Sequence, residues 1–351
     1  MKKIMVCGAS YLQNYMIDTI NSVGIYSIAL DGNPDCEKTC RANRFLNIDI
    51  SDKDQVLEIA RKEKIDGILT YASDVGAITA AYVGEKLGLP TNPYESVVIM
   101  TDKVKMRNAL KEHGFNVPES VGCDSIGDAK REVKKMKFPL MVKPADSSGS
   151  KGVSKILRIA ELENAYNEAV SFSRSGKVII EEYIERDGYQ IDMDCLMVDG
   201  EILFFEPMDQ HHDPIAPFSP IGISMPSTME KSRALQAKKE CERFLKLMNM
   251  QFGLFNIEYI YDKSGRLFIL EVAPRAGGNL IPDVILHSAG ADMRKELLFL
   301  SQNGGVRNPL ISGITGTMFL LLLYIQRRMA SSIQFGLILY LRGTLLSATY
   351  L

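Results

Sequence analysis

Met141-Val142-Lys143-Pro144-Ala145-Asp146-Ser147-Ser148-Gly149-Ser150-Lys151-Gly152-Val153 is the stretch on which the fold reading turns. A short apolar run ends on a lysine and passes into a loop of small residues that carries a second lysine. Small residues let main-chain N–H groups approach a polyphosphate closely, and lysines neutralise its charge as compact ammonium groups. The spacing is not that of a P-loop, because GxxxxGK[ST] is absent and no helix follows directly.

Downstream, Phe255-Asn256-Ile257-Glu258-Tyr259 and Leu270-Glu271-Val272 flank the turn Asp262-Lys263-Ser264-Gly265. Antiparallel pairing across that turn sets Glu258 and Glu271 on neighbouring positions. Two carboxylates in a mostly apolar sheet are costly unless a cation or proton pairs them. Hard oxygen ligands suit Mg²⁺ held jointly with nucleotide phosphates. Glu271-Val272-Ala273-Pro274-Arg275-Ala276-Gly277-Gly278-Asn279 then places an arginine where it can grip a carboxylate or phosphoryl oxygen bidentately.

Upstream, residues 1–92 alternate short strands (3–7, 26–30, 45–48, 65–70) with helical segments, the last being 75–87 with Gly88 as its stop. That alternation implies a parallel sheet. The first strand–helix turn, Gly8-Ala9-Ser10-Tyr11-Leu12-Gln13, keeps one of the three glycines of the dinucleotide fingerprint, so a nicotinamide cofactor is not expected. Helices are expected at 94–115 in two pieces, 126–136, 160–172 and 230–250. Further strands are expected at 139–143, 153–158, 178–183, 189–198 and 201–207. Val117-Pro118 opens an extended link. Asp209-Gln210-His211-His212-Asp213-Pro214, with 215–226, reads as a substrate-facing loop and not a metal site, since adjacent histidines on a loop point in different directions.

The chain has 351 residues, 46% hydrophobic and 24% charged, which excludes disordered, collagen-like and disulfide-scaffold classes. Its net charge of −2 argues against a nucleic-acid partner bound by general basicity. Six scattered cysteines without zinc-site spacing read as the reduced thiols of a cytoplasmic protein. The average charge conceals an asymmetry. All 43 Asp and Glu lie in residues 1–296, and the last 55 residues hold four arginines and no acid. Apolar stretches at 318–325 and 333–341 each fall below half of the about 20 residues a membrane helix needs, so no membrane partner is expected.

Lys103, Lys143, the loop 146–153, Glu181-Glu182-Tyr183-Ile184, Glu258, Glu271 and Arg275 follow one another in the order and spacing of the ATP-grasp superfamily. The chain resembles its carbamoyl-phosphate-synthase-like and L-amino-acid-ligase-like members over residues 1–300. Thr101-Asp102-Lys103 with Arg107 resembles the opening of the ATP-binding unit, and Leu69-Thr70-Tyr71-Ala72-Ser73-Asp74 resembles the preceding domain. The resemblance implies an α/β and α+β architecture. A Rossmann-like pre-ATP-grasp domain at 1–92 is followed by an ATP-grasp domain at 93–300, with a small lid subdomain at about 117–184 and an atypical tail at 301–351.

The same resemblance implies site roles. Lys103 and Lys143 contact the α and β phosphates of ATP. Ser147, Ser148, Gly149, Lys151, Gly152 and Val153 form the lid loop over the β and γ phosphates. Glu181, Glu182, Tyr183 and Ile184 are the hinge that meets adenine. Glu258 and Glu271 hold Mg²⁺ (or Mn²⁺), and Arg275 and Lys151 are the catalytic residues, Arg275 steadying the acyl phosphate. Two positions depart from the family pattern. Gly188 stands where an acid usually holds the ribose, with Asp187 or Gln190 as substitutes, and Ala273 stands where an Asn usually completes the metal site, with Asn279 or water as replacements. The activity implied is an ADP-forming ligase that activates a carboxylate as an acyl phosphate for attack by an amine. Bicarbonate activation, as in carbamoyl-phosphate or carboxylase chemistry, and a catalytically impaired ATP-binding protein are the alternatives. The partners implied are small-molecule carboxylates and amines, and a homodimer is admitted. From about residue 312 the acid-free tail is expected to be truncated or out-of-frame sequence.

Overall fold

In the computed structural model the described residues are 1–214, 217–306 and five strands beyond 306, of which the backbone alone is described. β1 (Lys3–Cys7), β2 (Tyr26–Asp31), β3 (Arg44–Asn47) and β4 (Gly67–Leu69) pair in parallel in the order β3-β2-β1-β4. Their apolar runs are continuous because helices cover both faces. Ile4, Val6 and Ala29 pack with Met16, Ile17 and Ile20 of α1 (Tyr11–Ser22). Met5, Cys7, Ile28 and Leu30 pack with Val56 and Leu57 of α2 (Lys53–Glu63) and Val83 of α3 (Asp74–Leu87). Ser73 caps α3 by accepting the N–H of Gly76, and Gly88 ends it at φ +65°. α3 seats tightly on this sheet: a Cβ on Gly76 would lie 2.6 Å from Thr70 Oγ1 and 2.8 Å from the Cys7 carbonyl.

Two helices, α4 (Tyr94–Met100) and α5 (Lys103–Glu112), lead to a small antiparallel sheet. It contains β5 (Ser120–Cys123), β6 (Leu140–Pro144), β7 (Ser154–Ile156) and β8 (Val178–Glu182) in the order β5-β8-β6-β7. One face is closed by α6 (Ile126–Glu132) and α7 (Leu162–Phe172), which bury Ala129, Leu162, Ala165 and Ala169 against Leu140, Val142, Val178 and Ile180. By the two-residue alternation of a strand, Met141, Lys143 and Glu181 belong to the other face.

A larger sheet is built on β9 (Gln190–Val198), β10 (Glu201–Phe205), β11 (Asp209–His212), β12 (Pro220–Met225), β13 (Gly253–Tyr261) and β14 (Leu267–Ala273). Its order begins β14-β13-β9-β11-β12, with β10 also on β9. α8 (Lys231–Leu247) lays Ala237, Cys241, Phe244 and Leu245 on Met193, Cys195, Phe255 and Ile257. The intervening residues Asp192, Asp194, Asn256 and Glu258 therefore occupy the opposite face. Beyond β14 come α9 (Ile281–Ala289) and α10 (Met293–Asn303), whose Ile281, Val284, Met293 and Leu298 join one core with Ile4, Val6 and Leu196.

Two expectations need correction. Residues 209–226 are not simply a loop: they contain the hairpin strands β11 and β12, held to β9 by main-chain pairing. The extended link after Pro118 includes β5, which pairs with β8 along 120–123. The α9 and α10 helices were not anticipated. The expectation for the tail falls mostly outside the described residues. Of its strands, β15 (Leu320–Tyr324) extends the large sheet from β12, followed by β18 (Gly336–Leu341) and β19 (Thr344–Tyr350), while β16 (Arg327–Met329) pairs with β17 (Ser332–Gln334). Among the described residues no helix is long and apolar enough to cross a membrane.

Candidate active site

A cleft of about 280 Å³ lies between the open face of the small sheet and the polar face of β13 and β14. It is lined from α5, from β6, β7 and β8 of the small sheet and from β9, β11, β13 and β14. Asp102 caps α5 through the N–H groups of Val104 and Lys105, which fixes Lys103 at the first helical position. The Lys103 N–H donates to the Ala145 carbonyl at 2.8 Å. Its ammonium donates to the Ser147 carbonyl (2.7 Å) and pairs with Glu271 (3.3 Å). On β6, Lys143 reaches Glu181 of β8 at 2.7 Å, and the other oxygen of Glu181 accepts from Arg107 Nε at 2.6 Å. Arg107 also donates to the carbonyls of Ile269 and Leu270, next to Glu271. Burial pushes the Glu181 carboxyl up, but the charges of Arg107 and Lys143 outweigh it and bring it down to about 2.

Glu258 and Glu271 stand directly opposite one another on β13 and β14, because an irregularity between Glu258 and Tyr259 shifts by one residue the register that the turn sets. Across the other edge of β13, Glu258 faces Asp192 of β9. Gln190 donates to Glu258 at 2.7 Å. Burial, and then the charges of Asp192 and Glu271, push the Glu258 carboxyl well above the usual range. A cation relieves that repulsion, so the donor set fits a divalent metal. Among the described residues no group of three or more His, Cys, Asp or Glu side chains is arranged to hold a metal unaided. Mg²⁺ takes one or two carboxylates and fills its remaining positions with water and phosphate oxygens. Asn256 stands directly opposite Ala273 across the β13–β14 pair.

The lid loop is pinned at both ends. Asp146 accepts the Ser173 hydroxyl and the N–H groups of Arg174 and Ser175. Gly152, at φ +67°, sits where a Cβ would come within 2.8 Å of the Phe172 ring. Between these anchors Ser147, Gly149 and Lys151 line the cleft, as does Val153. Ser148 turns the other way, its hydroxyl bonded to Asp74 at the start of α3. At the hinge, Glu182, Tyr183 and Ile184 line the cleft, and Lys155 lies 3.5 Å over the Tyr183 ring. The N–H groups of Glu182 and Tyr183 are taken by the Glu119 and Pro139 carbonyls, so a main-chain donor to a base comes from Ile184 or beyond.

Four anticipated residues, Ser148, Gly152, Asp187 and Arg275, lie outside this lining. Asp187 is half-exposed and paired with Arg233 at 2.9 Å, so it does not replace the acid missing at Gly188, whereas Gln190 does face the cleft. Arg275 is buried against Asp74, with its Nε at 2.8 Å from Oδ1, and also donates to Asn256 and to the Ala276 carbonyl. His212 lines the cleft, with Arg186 3.4 Å away, while His211 turns to Ser224 and to the Tyr189 ring. Burial and the Arg186 charge lower His212 to about 4, so it is neutral at pH 7.

Sequence reasoning missed Asp192 and Asp194, both buried. Asp192 accepts from Asn256 (2.8 Å) and Gln210 (2.9 Å), and Asp194 accepts the Gly277 N–H at 2.7 Å. Their signal was present: two acids at period two in the otherwise apolar run Ile191-Asp192-Met193-Asp194-Cys195. Asp74 carried no such signal.

Residues 108–278 match the family model described as the ATP-grasp domain. The carbamoyl phosphate synthase large chain of Thermoanaerobacter sp. (strain X514) is 29% identical over 269 residues, which is 73% of this chain and 24% of that one. The chain thus spans about a quarter of the length of the curated relatives it matches. L-amino acid ligase from Bacillus licheniformis superposes with a TM-score of 0.79 at 17% identity, covering 94% of this chain and 81% of that one. The biotin carboxylase domain of 2-oxoglutarate carboxylase from Hydrogenobacter thermophilus, solved with MgADP, ADP and bicarbonate, gives 0.72 at 20% identity over 93% and 74%. Residues 108–278 of this chain are thus an ATP-grasp domain.

Proposed function

We propose that this protein is an ADP-forming ligase that activates a carboxylate as an acyl phosphate and transfers it to an amine. The observation that carries the reading is the opposition of Glu258 and Glu271 at one end of a cleft that also presents Lys103 and Lys143. Glu181, itself held by Arg107, orients the Lys143 ammonium, and the Ser147 carbonyl and Glu271 orient that of Lys103. Fixed cations near a transferring phosphoryl group spread its charge without reorganisation. Magnesium, with manganese as a substitute, would be held by Glu258 and Glu271 and would supply further charge neutralisation on the phosphates. Lys151, carried on the lid loop, covers the γ-phosphate end. Closure of that loop keeps water from the acyl phosphate. Arg275 serves the carboxylate end, its guanidinium fixed by Asp74 and Asn256. The reduced state of all six cysteines suits a cytoplasmic, ATP-supplied setting.

The test is release of ADP and phosphate across a panel of paired amino acids and other small carboxylates and amines. Glu271→Gln is expected to lower kcat by at least about 100-fold, as removal of one charge-stabilising group typically does. Undiminished turnover in that variant would sink the metal assignment. Bicarbonate activation is the second reading, favoured by the sequence similarity to carbamoyl phosphate synthase. Bicarbonate-dependent ADP release without an amine would select it.

A further inference from the structure

Gln190 opens β9, lines the nucleotide cleft and spends its amide on a carboxylate. Its Nε2 donates to Glu258 Oε2 at 2.7 Å. The contact follows from strand register. Asp192 stands opposite Glu258 and Ile191 opposite Tyr259. Gln190 and Asp192 therefore share one face of β9, and Gln190 is the diagonal neighbour of Glu258. A diagonal pair is about 7–8 Å apart, a gap that a long side chain spans. Main-chain pairing of Gln190 with Gln210 of β11 fixes the strand at that point.

The two acids that face each other across β9 and β13 are held differently. Asp192 accepts Asn256 on Oδ1 (2.8 Å) and Gln210 on Oδ2 (2.9 Å), so amides engage both of its oxygens. Among the described residues Glu258 is engaged on Oε2 alone. Glu258, and not Asp192, therefore keeps an oxygen for a cation. A glutamate that binds a metal is ionised and only accepts hydrogen bonds. The residues directly opposite Glu258 across its two strand pairs, Asp192 and Glu271, are acids themselves. The Gln190 N–H is thus the hydrogen bond that steadies the ionised form, and it brings no charge to compete with the cation. This use of Gln190 differs from holding the ribose, the role open to it from its position after Gly188.

We infer that Gln190 is a positioning residue of the metal site: its amide holds Oε2 of Glu258 and leaves Oε1 to the divalent cation. This rests on the metal assignment within the ligase reading above. Mn²⁺ is the probe, titrated into the ADP complex of the full chain and followed by electron paramagnetic resonance. ADP binding in EDTA and thermal melts are measured in parallel. Gln190→Met, close to glutamine in size but without an N–H, is expected to weaken Mn²⁺ binding at least about tenfold, the scale for a hydrogen-bond partner of a metal ligand. ADP affinity in EDTA is expected to be unchanged. Adding Gln190→Met to Glu258→Gln is expected to weaken Mn²⁺ binding no further, because the amide acts through that carboxylate. Gln190→Leu is read in its place where Gln190→Met melts early. Unchanged Mn²⁺ affinity in the single variant, or a full further loss in the double variant, overturns the role of Gln190 and leaves the ligase reading standing. So does a loss of ADP affinity in EDTA together with a loss of preference for ADP over 2′-deoxy-ADP, which would assign Gln190 to the ribose. A wild type that binds ADP but no Mn²⁺ defeats the metal assignment and this role together. Absence of ADP binding by the wild type defeats the ligase reading as well.

Discussion

Glu181 is buried between Arg107 and Lys143, with a short hydrogen bond to each. Its folded carboxyl titrates at about 2 against an ordinary value of 4.5. A depressed value contributes stability that is complete above about pH 4.5 and is lost as the pH falls towards 2. The difference is on the order of 3 kcal/mol. Glu181→Gln is expected to flatten the acid limb of the stability curve between those values, besides lowering stability at every pH by stranding Arg107. An acid limb identical to wild type would show that the ion pairs add nothing to the folded state. The residue was legible in the sequence as part of the hinge, but its side chain is turned away from a base and towards the phosphate-side lysine. Neither Arg107 nor Lys143 is close to it in sequence, so that role follows from pairing of β6 with β8 and docking of α5.

The lid loop makes the argument at the scale of an element. Its small residues were read as a means of close approach to phosphate, and the structure adds a second reason for two of the glycines. Gly149 and Gly152 both have positive φ, +72° and +67°, but only Gly152 is crowded, by Phe172 and Ala169 of α7 and by Pro144. Gly149→Ala is expected to cost about 1 kcal/mol, the left-handed backbone penalty alone. Gly152→Ala adds overpacking and is expected to cost about 2–4 kcal/mol in total, with a rise in KM for ATP as the loop loses its seat. Thermal melts and steady-state kinetics of the two variants check this, and equal costs would mean that the α7 contact is unimportant. The β11–β12 hairpin was read as a loop because Asp209, His211, His212 and Pro214 carry turn and polar signals. Pairing with β9 overrides those local preferences.

For the whole molecule, Asp74 joins parts of the chain that are far apart in sequence. It holds Arg275, 201 positions away, and the hydroxyl of Ser148 at the lid tip. The parallel sheet and the ATP-grasp region also share a core in which Ile4, Val6 and Met16 meet Leu196, Ile281 and Leu298. Asp74→Ala is expected to destabilise the protein by about 3–5 kcal/mol, since it strands a buried guanidinium, and wild type and variant are expected to unfold in a single cooperative transition. Two separated transitions in the wild type, followed by denaturant unfolding with circular dichroism, would show that the shared core does not couple the two parts.

Most of the strands and helices, the lysines of the cleft and the placing of Glu258 and Glu271 on the two strands of one hairpin were determined by the sequence itself. Each depends on local physics: apolar periodicity, small residues at turns, and a short turn that joins two strands. The partners that load those residues were decided by the tertiary structure. Asp192 beside Glu258, Asp74 on Arg275 and Arg107 on Glu181 all join residues tens to hundreds of positions apart. Spacing along the chain carries no information about such pairs. Only packing one sheet against another brings the charges together, and burial makes their pairing consequential.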